Sequence, residues 1–122
     1  MKALLPIAFA AATAAAYADC PYPQAPTKIP DGATATLEQM VAGQKEVAAY
    51  QKAINDYNAC IDKELEDNIA KEGDKLKPKD KEQMQRMEAQ KHNAAVDQLQ
   101  SVADRFNEQV KVYKARTADK KG

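Results

Sequence analysis

Apolar residues recur along this chain at spacings that divide it into a short apolar run, a proline-studded stretch and two helical segments. When successive residues are placed about 100° apart, Met40, Val47, Ile54, Ile61, Leu65 and Ile69 fall on one narrow stripe, and the first four repeat every seven residues. Gln51 and Asn58 share that stripe and interrupt it. Thr36 stands three residues ahead of Gln39, the pattern in which a threonine hydroxyl and a glutamine side chain satisfy each other's free backbone N–H groups at a helix start. A first helix is therefore expected over about 36–72.

Gly73 is suited to end that helix, because a glycine tolerates the left-handed backbone that closes a helical turn. Residues 73–77 form an elbow, and Pro78 fits the first turn of a second helix, where its missing N–H leaves nothing unsatisfied. That helix is expected over about 78–116, with Met84, Met87, Ala95, Leu99, Val102, Phe106, Val110 and Tyr113 on its apolar stripe. Lys91, Gln98 and Gln109 interrupt it. A short elbow makes the two helices antiparallel neighbours, each on the order of 55 Å long.

Folding the chain at the elbow sets Leu65 beside Met84 and Met87, Ile54 beside Ala95 and Leu99, Val47 beside Val102 and Phe106, and Met40 beside Val110 and Tyr113. Asn58 then comes opposite Lys91, and Gln51 opposite Gln98. Polar pairs in such a seam weaken it but fix its register. The expected fold class is thus all-α, an antiparallel two-helix hairpin resembling a coiled coil.

Residues 19–35 behave differently. Pro21, Pro23, Pro26 and Pro30 exclude a helix and favour an extended, polyproline-like arm. Residues 1–18 carry Lys2, then an apolar run from Ala3 to Ala16, then small residues about Ala18, the pattern of a secretory signal peptide cleaved near Ala18. Lipidation at Cys20 is the rival reading, but Asp19 is a poor fit to the small residues that modification needs. The chain is accordingly expected to be periplasmic or secreted, with no integral membrane segment after cleavage. Residues 117–122 are expected to be a disordered basic tail.

Export changes the reading of the two cysteines. In an oxidising compartment Cys20 and Cys60 are expected to form a single disulfide, an intermolecular bridge being the alternative. Cys60 lies roughly 36 Å along the first helix, and the arm can span up to about 50 Å at polyproline rise. The arm must therefore run back along that helix. Tyr50, Ala53, Tyr57 and Cys60 form a second face there, with Cys60 about 120° from Ile54, and this is where Pro21, Tyr22, Pro23 and Pro26 are expected to pack.

Charge is balanced, with 18 basic and 18 acidic residues among 122. No clustered basic face is present to attract nucleic acid or an anionic membrane. The single histidine and single serine leave no triad: His92 and Ser101 are nine residues apart on one helix and point in opposite directions. Enzymatic activity is not expected, and neither is a cofactor. Glu88 and His92, four residues apart, are the candidate metal ligands, but two ligands do not close a site. The acidic residues from Asp62 to Asp74 spread around the helix rather than forming a calcium loop. The reading that remains is a non-enzymatic exported hairpin acting through protein–protein interaction, as an adaptor, inhibitor or chaperone-like clamp on another envelope or extracellular protein. A self-assembling structural spacer of the cell envelope and a weak metal or ligand carrier are the alternatives, and a homodimer forming a four-helix bundle is a further expected partner state.

Overall fold

The computed structural model describes residues 20–119. The expected signal peptide with its cleavage near Ala18, and the last tail residues 120–122, lie outside the described residues. Within them the chain is all-helical: α1 spans Leu37–Glu72, a short 3-10 turn spans Gly73–Lys75, and α2 spans Pro78–Asp119. The two long helices pack against each other as a hairpin.

Local chemistry sets the ends. The Thr36 hydroxyl accepts from the Gln39 N–H at 3.2 Å, and the Gln39 side chain accepts from the Thr36 N–H at 2.9 Å, which closes the N-terminus of α1. At the other end Gly73 adopts φ +54° and its N–H donates to the Ile69 carbonyl. Helix α2 runs three residues past the expected end at 116, through the beginning of the segment assigned to a disordered tail. Nothing between Tyr113 and Asp119 breaks a helix, and Arg116 holds the last turns in place by donating to the Ala35 carbonyl.

The core sits where the arm crosses the seam. Tyr50, Ile54, Tyr57, Ile61, Ala95 and Val102 form one buried cluster, against which Cys20, Ala25, Val47 and Leu99 pack. Ala35, Met40 and Phe106 form a second, with Ile29, Val47, Val110 and Tyr113 around it. Ile54 and Val102 are fully buried. At about 25 cal/mol per Å² of apolar surface, each such side chain stabilises the fold by roughly 1.5–3 kcal/mol over leaving it in water.

The buried sector of α1 is turned by about 30° from the seven-residue stripe toward the tyrosine face, because the arm is a third layer that has to be covered too. That turn moves Gln51 out. Gln51 and Gln98 are both exposed and do not face each other across the seam, and Lys91 is exposed as well. Asn58 alone of the expected polar pairs is buried, with its side-chain oxygen unpartnered.

The arm reaches farther than the face of α1 predicted for it. Its end passes over α2, where the Gly32 N–H donates to the Gln109 side chain at 2.8 Å. A β-carbon at residue 32 would stand 2.1 Å from the Gln109 carbonyl oxygen, so only glycine admits this approach. A turn opened by Asp31, whose carboxylate accepts from the Ala33 N–H at 2.9 Å, then leads into α1.

Candidate functional site

Two features organise the surface: the clasp that fastens the arm, and the stretch of hairpin that the arm does not reach. Cys20 and Cys60 are joined, with 5.7 Å between their α-carbons and 40 residues between them in sequence. Beside the bridge the Tyr22 ring meets the Tyr57 ring edge-on at 5.1 Å. Tyr50 lies deeper, its hydroxyl buried without a partner, and burial, with a smaller contribution from Tyr22, raises its pKa above 10.0. Pro23 and Pro26 line a groove between the arm and α1 that is floored by Ala49, Tyr50 and Ala53. Tyr50, Ala53 and Tyr57 thus lie on the side of α1 beside the arm.

Past the bridge no described residue of the arm lines the hairpin. A Glu64 carboxylate oxygen lies 3.4 Å from the Cys20 sulfur. Past it opens a hollow of about 170 Å³ whose apolar lining is Ile61, Leu65, Met84 and Met87, with Glu64, Asn68, Glu88 and Lys91 around them. Of the residues expected in the interhelix core, Met40, Ile54, Ile61, Ala95, Val102 and Phe106 are buried, and Val47, Leu99 and Tyr113 are partly buried against them. Leu65 and Met84 belong to neither buried cluster, and Met87 is 52% exposed. Among the described residues the arm from Cys20 onward lies along the half of the hairpin away from the elbow, so there the described residues form three layers and at the elbow half two.

Glu88 and Asp62 come together across the helices near this hollow. The Glu88 carboxyl is raised from its ordinary 4.5, first by hydrogen bonding with Asp62, then by desolvation and by the Asp62 charge, with His92 opposing. As a carboxylate Glu88 has one oxygen sealed from solvent with no donor, and taking up a proton allows it to donate to Asp62. Sequence spacing paired Glu88 with His92 but missed Asp62, which stands on the other helix. Among the described residues no three His, Cys, Asp or Glu side chains converge in a way that could hold a metal ion. Ser101 is exposed and His92 half-buried, and the two remain on one helix nine residues apart.

Among the described residues no helix is long and apolar enough to cross a membrane. No family model, curated protein or solved structure matches the chain.

Proposed function

We propose that this chain is an exported, non-enzymatic protein that works by presenting a helical surface to another protein of the envelope or extracellular space, as an adaptor, inhibitor or chaperone-like clamp. The observation that carries this reading is the hollow past the clasp. Leu65, Met84 and Met87 leave apolar surface there that no described residue of the arm lines, and methionines repack readily around a partner's side chains. The arm, on this reading, is a brace stapled to the middle of a coiled-coil-like hairpin, giving the elbow end a rigid handle. Export and a periplasmic or secreted location are supported by the apolar run ending near Ala18 and by the disulfide.

Site-directed photo-crosslinking tests the proposal directly. A crosslinker at position 87, in the full chain expressed in its own host, is expected to trap one discrete heterologous protein, whereas the same group at exposed Asp97 traps none. Crosslinks that are equally diffuse at both positions would remove the hollow as a docking site.

A further inference from the structure

The hollow past the clasp has apolar walls and an acidic edge. Leu65 from α1 and Met84 and Met87 from α2 make the walls over buried Ile61, and Glu64 and Glu88 line it from the two helices. Asp62 meets Glu88 from across the seam. Three carboxyls thus stand in or against the hollow, opposed by Lys91 and, when it is protonated, by His92. Lys91 is exposed. Among the described residues no lysine or arginine comes within ion-pair distance of Asp62, Glu64 or Glu88, the ion pairs there being Lys52 with Asp56 and Lys111 with Glu108.

Like charges gathered beside apolar surface call for a cation. One Glu88 oxygen is sealed from solvent with no donor, and contact with Asp62, first through a hydrogen bond, holds the Glu88 carboxyl above its ordinary 4.5. A positive group arriving there favours the ionised form of both acids. Size narrows what can bring it. At about 170 Å³ the hollow is smaller than the ~300–1,000 Å³ of pockets that enclose a small-molecule ligand, so it admits a single side chain: an apolar stem against the walls and a cationic end at the carboxyls.

Resting on the reading that this hollow docks another protein, we propose that its occupant is an arginine side chain of that partner, with its methylene stem against Leu65, Met84 and Met87 and its guanidinium against Glu64 and the Asp62–Glu88 pair. Both parts of an arginine match. The stem packs along apolar surface while the charged head stays at the polar edge, and the methionines adjust to its course. The guanidinium is planar, always charged and more weakly hydrated than an ammonium, and its donors can meet more than one carboxyl at once. A lysine offers a compact, strongly hydrated charge that gives up more on leaving water. Arginine is also among the residues that carry most of the binding energy at protein interfaces.

Methyl NMR of the oxidised full chain, labelled at methionine, is the test, with N-acetylarginine N-methylamide as the probe and the corresponding citrulline and lysine derivatives as controls. Citrulline keeps the shape and loses the charge. Saturable shifts of the Met84 and Met87 methyls are expected at millimolar concentrations of the arginine derivative, the affinity that one side chain supplies, while buried Met40 does not respond. Glu64→Gln and Glu88→Gln should each weaken the binding about tenfold, with helix content unchanged by circular dichroism, and Asp97→Asn, on exposed surface elsewhere, should leave it as it was. The absence of a saturable shift, or an equal response to the citrulline or the lysine derivative, would overturn the assignment. So would shifts of the same methyls on raising the protein concentration alone, which would make a second copy the occupant. The two readings fail separately: a partner trapped from position 87 while the arginine probe does nothing removes the arginine and leaves the docking surface, whereas a saturable arginine response with nothing trapped keeps the arginine subsite and removes the docking surface.

Discussion

Pro30 sits directly on Gly43: a β-carbon at residue 43 would stand 2.6 Å from the proline Cγ and 3.0 Å from Phe106 Cε2. A glycine inside a helix is destabilising by roughly 1 kcal/mol relative to alanine. Here it opens the notch through which the arm seats against both helices, so a local weakness serves the tertiary contact.

The three described glycines that bear on the fold should rank by what surrounds them. Gly32→Ala meets backbone atoms of α2 that cannot give way, and should destabilise by about 2–3 kcal/mol. Gly43→Ala regains helix propensity but displaces Pro30, for a net loss of about 1–2 kcal/mol. Gly73→Ala has open space around it and suffers only its positive φ, about 1 kcal/mol. Urea melts of the three variants check the order, and a Gly73 variant less stable than the Gly32 variant would contradict it.

Reduction of the clasp should lower stability by about 4 kcal/mol in the chain-entropy model for a loop of this length. Cys20→Ser with Cys60→Ser should match the reduced wild type. Thermal melts with and without reductant measure both, and equal melting temperatures would show that the arm is held by packing alone.

Truncations along the seam should report where the third layer ends. Ile54→Ala, at a fully buried position, is expected to cost 2–5 kcal/mol. Leu65→Ala, past the arm, should cost no more than about 1–1.5 kcal/mol because solvent already reaches its side chain. Comparable losses at the two sites would mean that the elbow half is as well covered as the other.

The Glu88–Asp62 pair makes a signed prediction. A carboxyl whose folded pKa is raised contributes stability that is fully present below its unfolded value and is lost as pH rises through the folded value. Stability should therefore fall, on account of Glu88, as pH climbs from near its ordinary 4.5 through its raised value. Glu88→Gln removes this slope. Denaturant melts of wild type and variant across about pH 4–7 give the difference, and parallel curves would show that the two carboxyls do not interact.

Both helices and their junction were legible in the order of residues because they rest on chemistry within a few positions of each other. Thr36 with Gln39, Gly73 and Pro78 act locally, so the caps and elbow follow from spacing alone. The disulfide followed from cysteine number and reach. The Asp62–Glu88 contact could not be read, since it joins side chains 26 positions apart whose meeting depends on the rotation of each helix. Nor could the exposure of Gln51 and Gln98.

What the order of residues determined by itself, then, was periodicity, capping and the length of chain available to close the bridge. What only the folded arrangement decided was which sector of each helix is buried. A heptad stripe states which residues share a face, but a third layer shifts the burial optimum sideways, and the size of that shift depends on contacts such as Pro30 on Gly43 and Gly32 on Gln109 that no local pattern encodes.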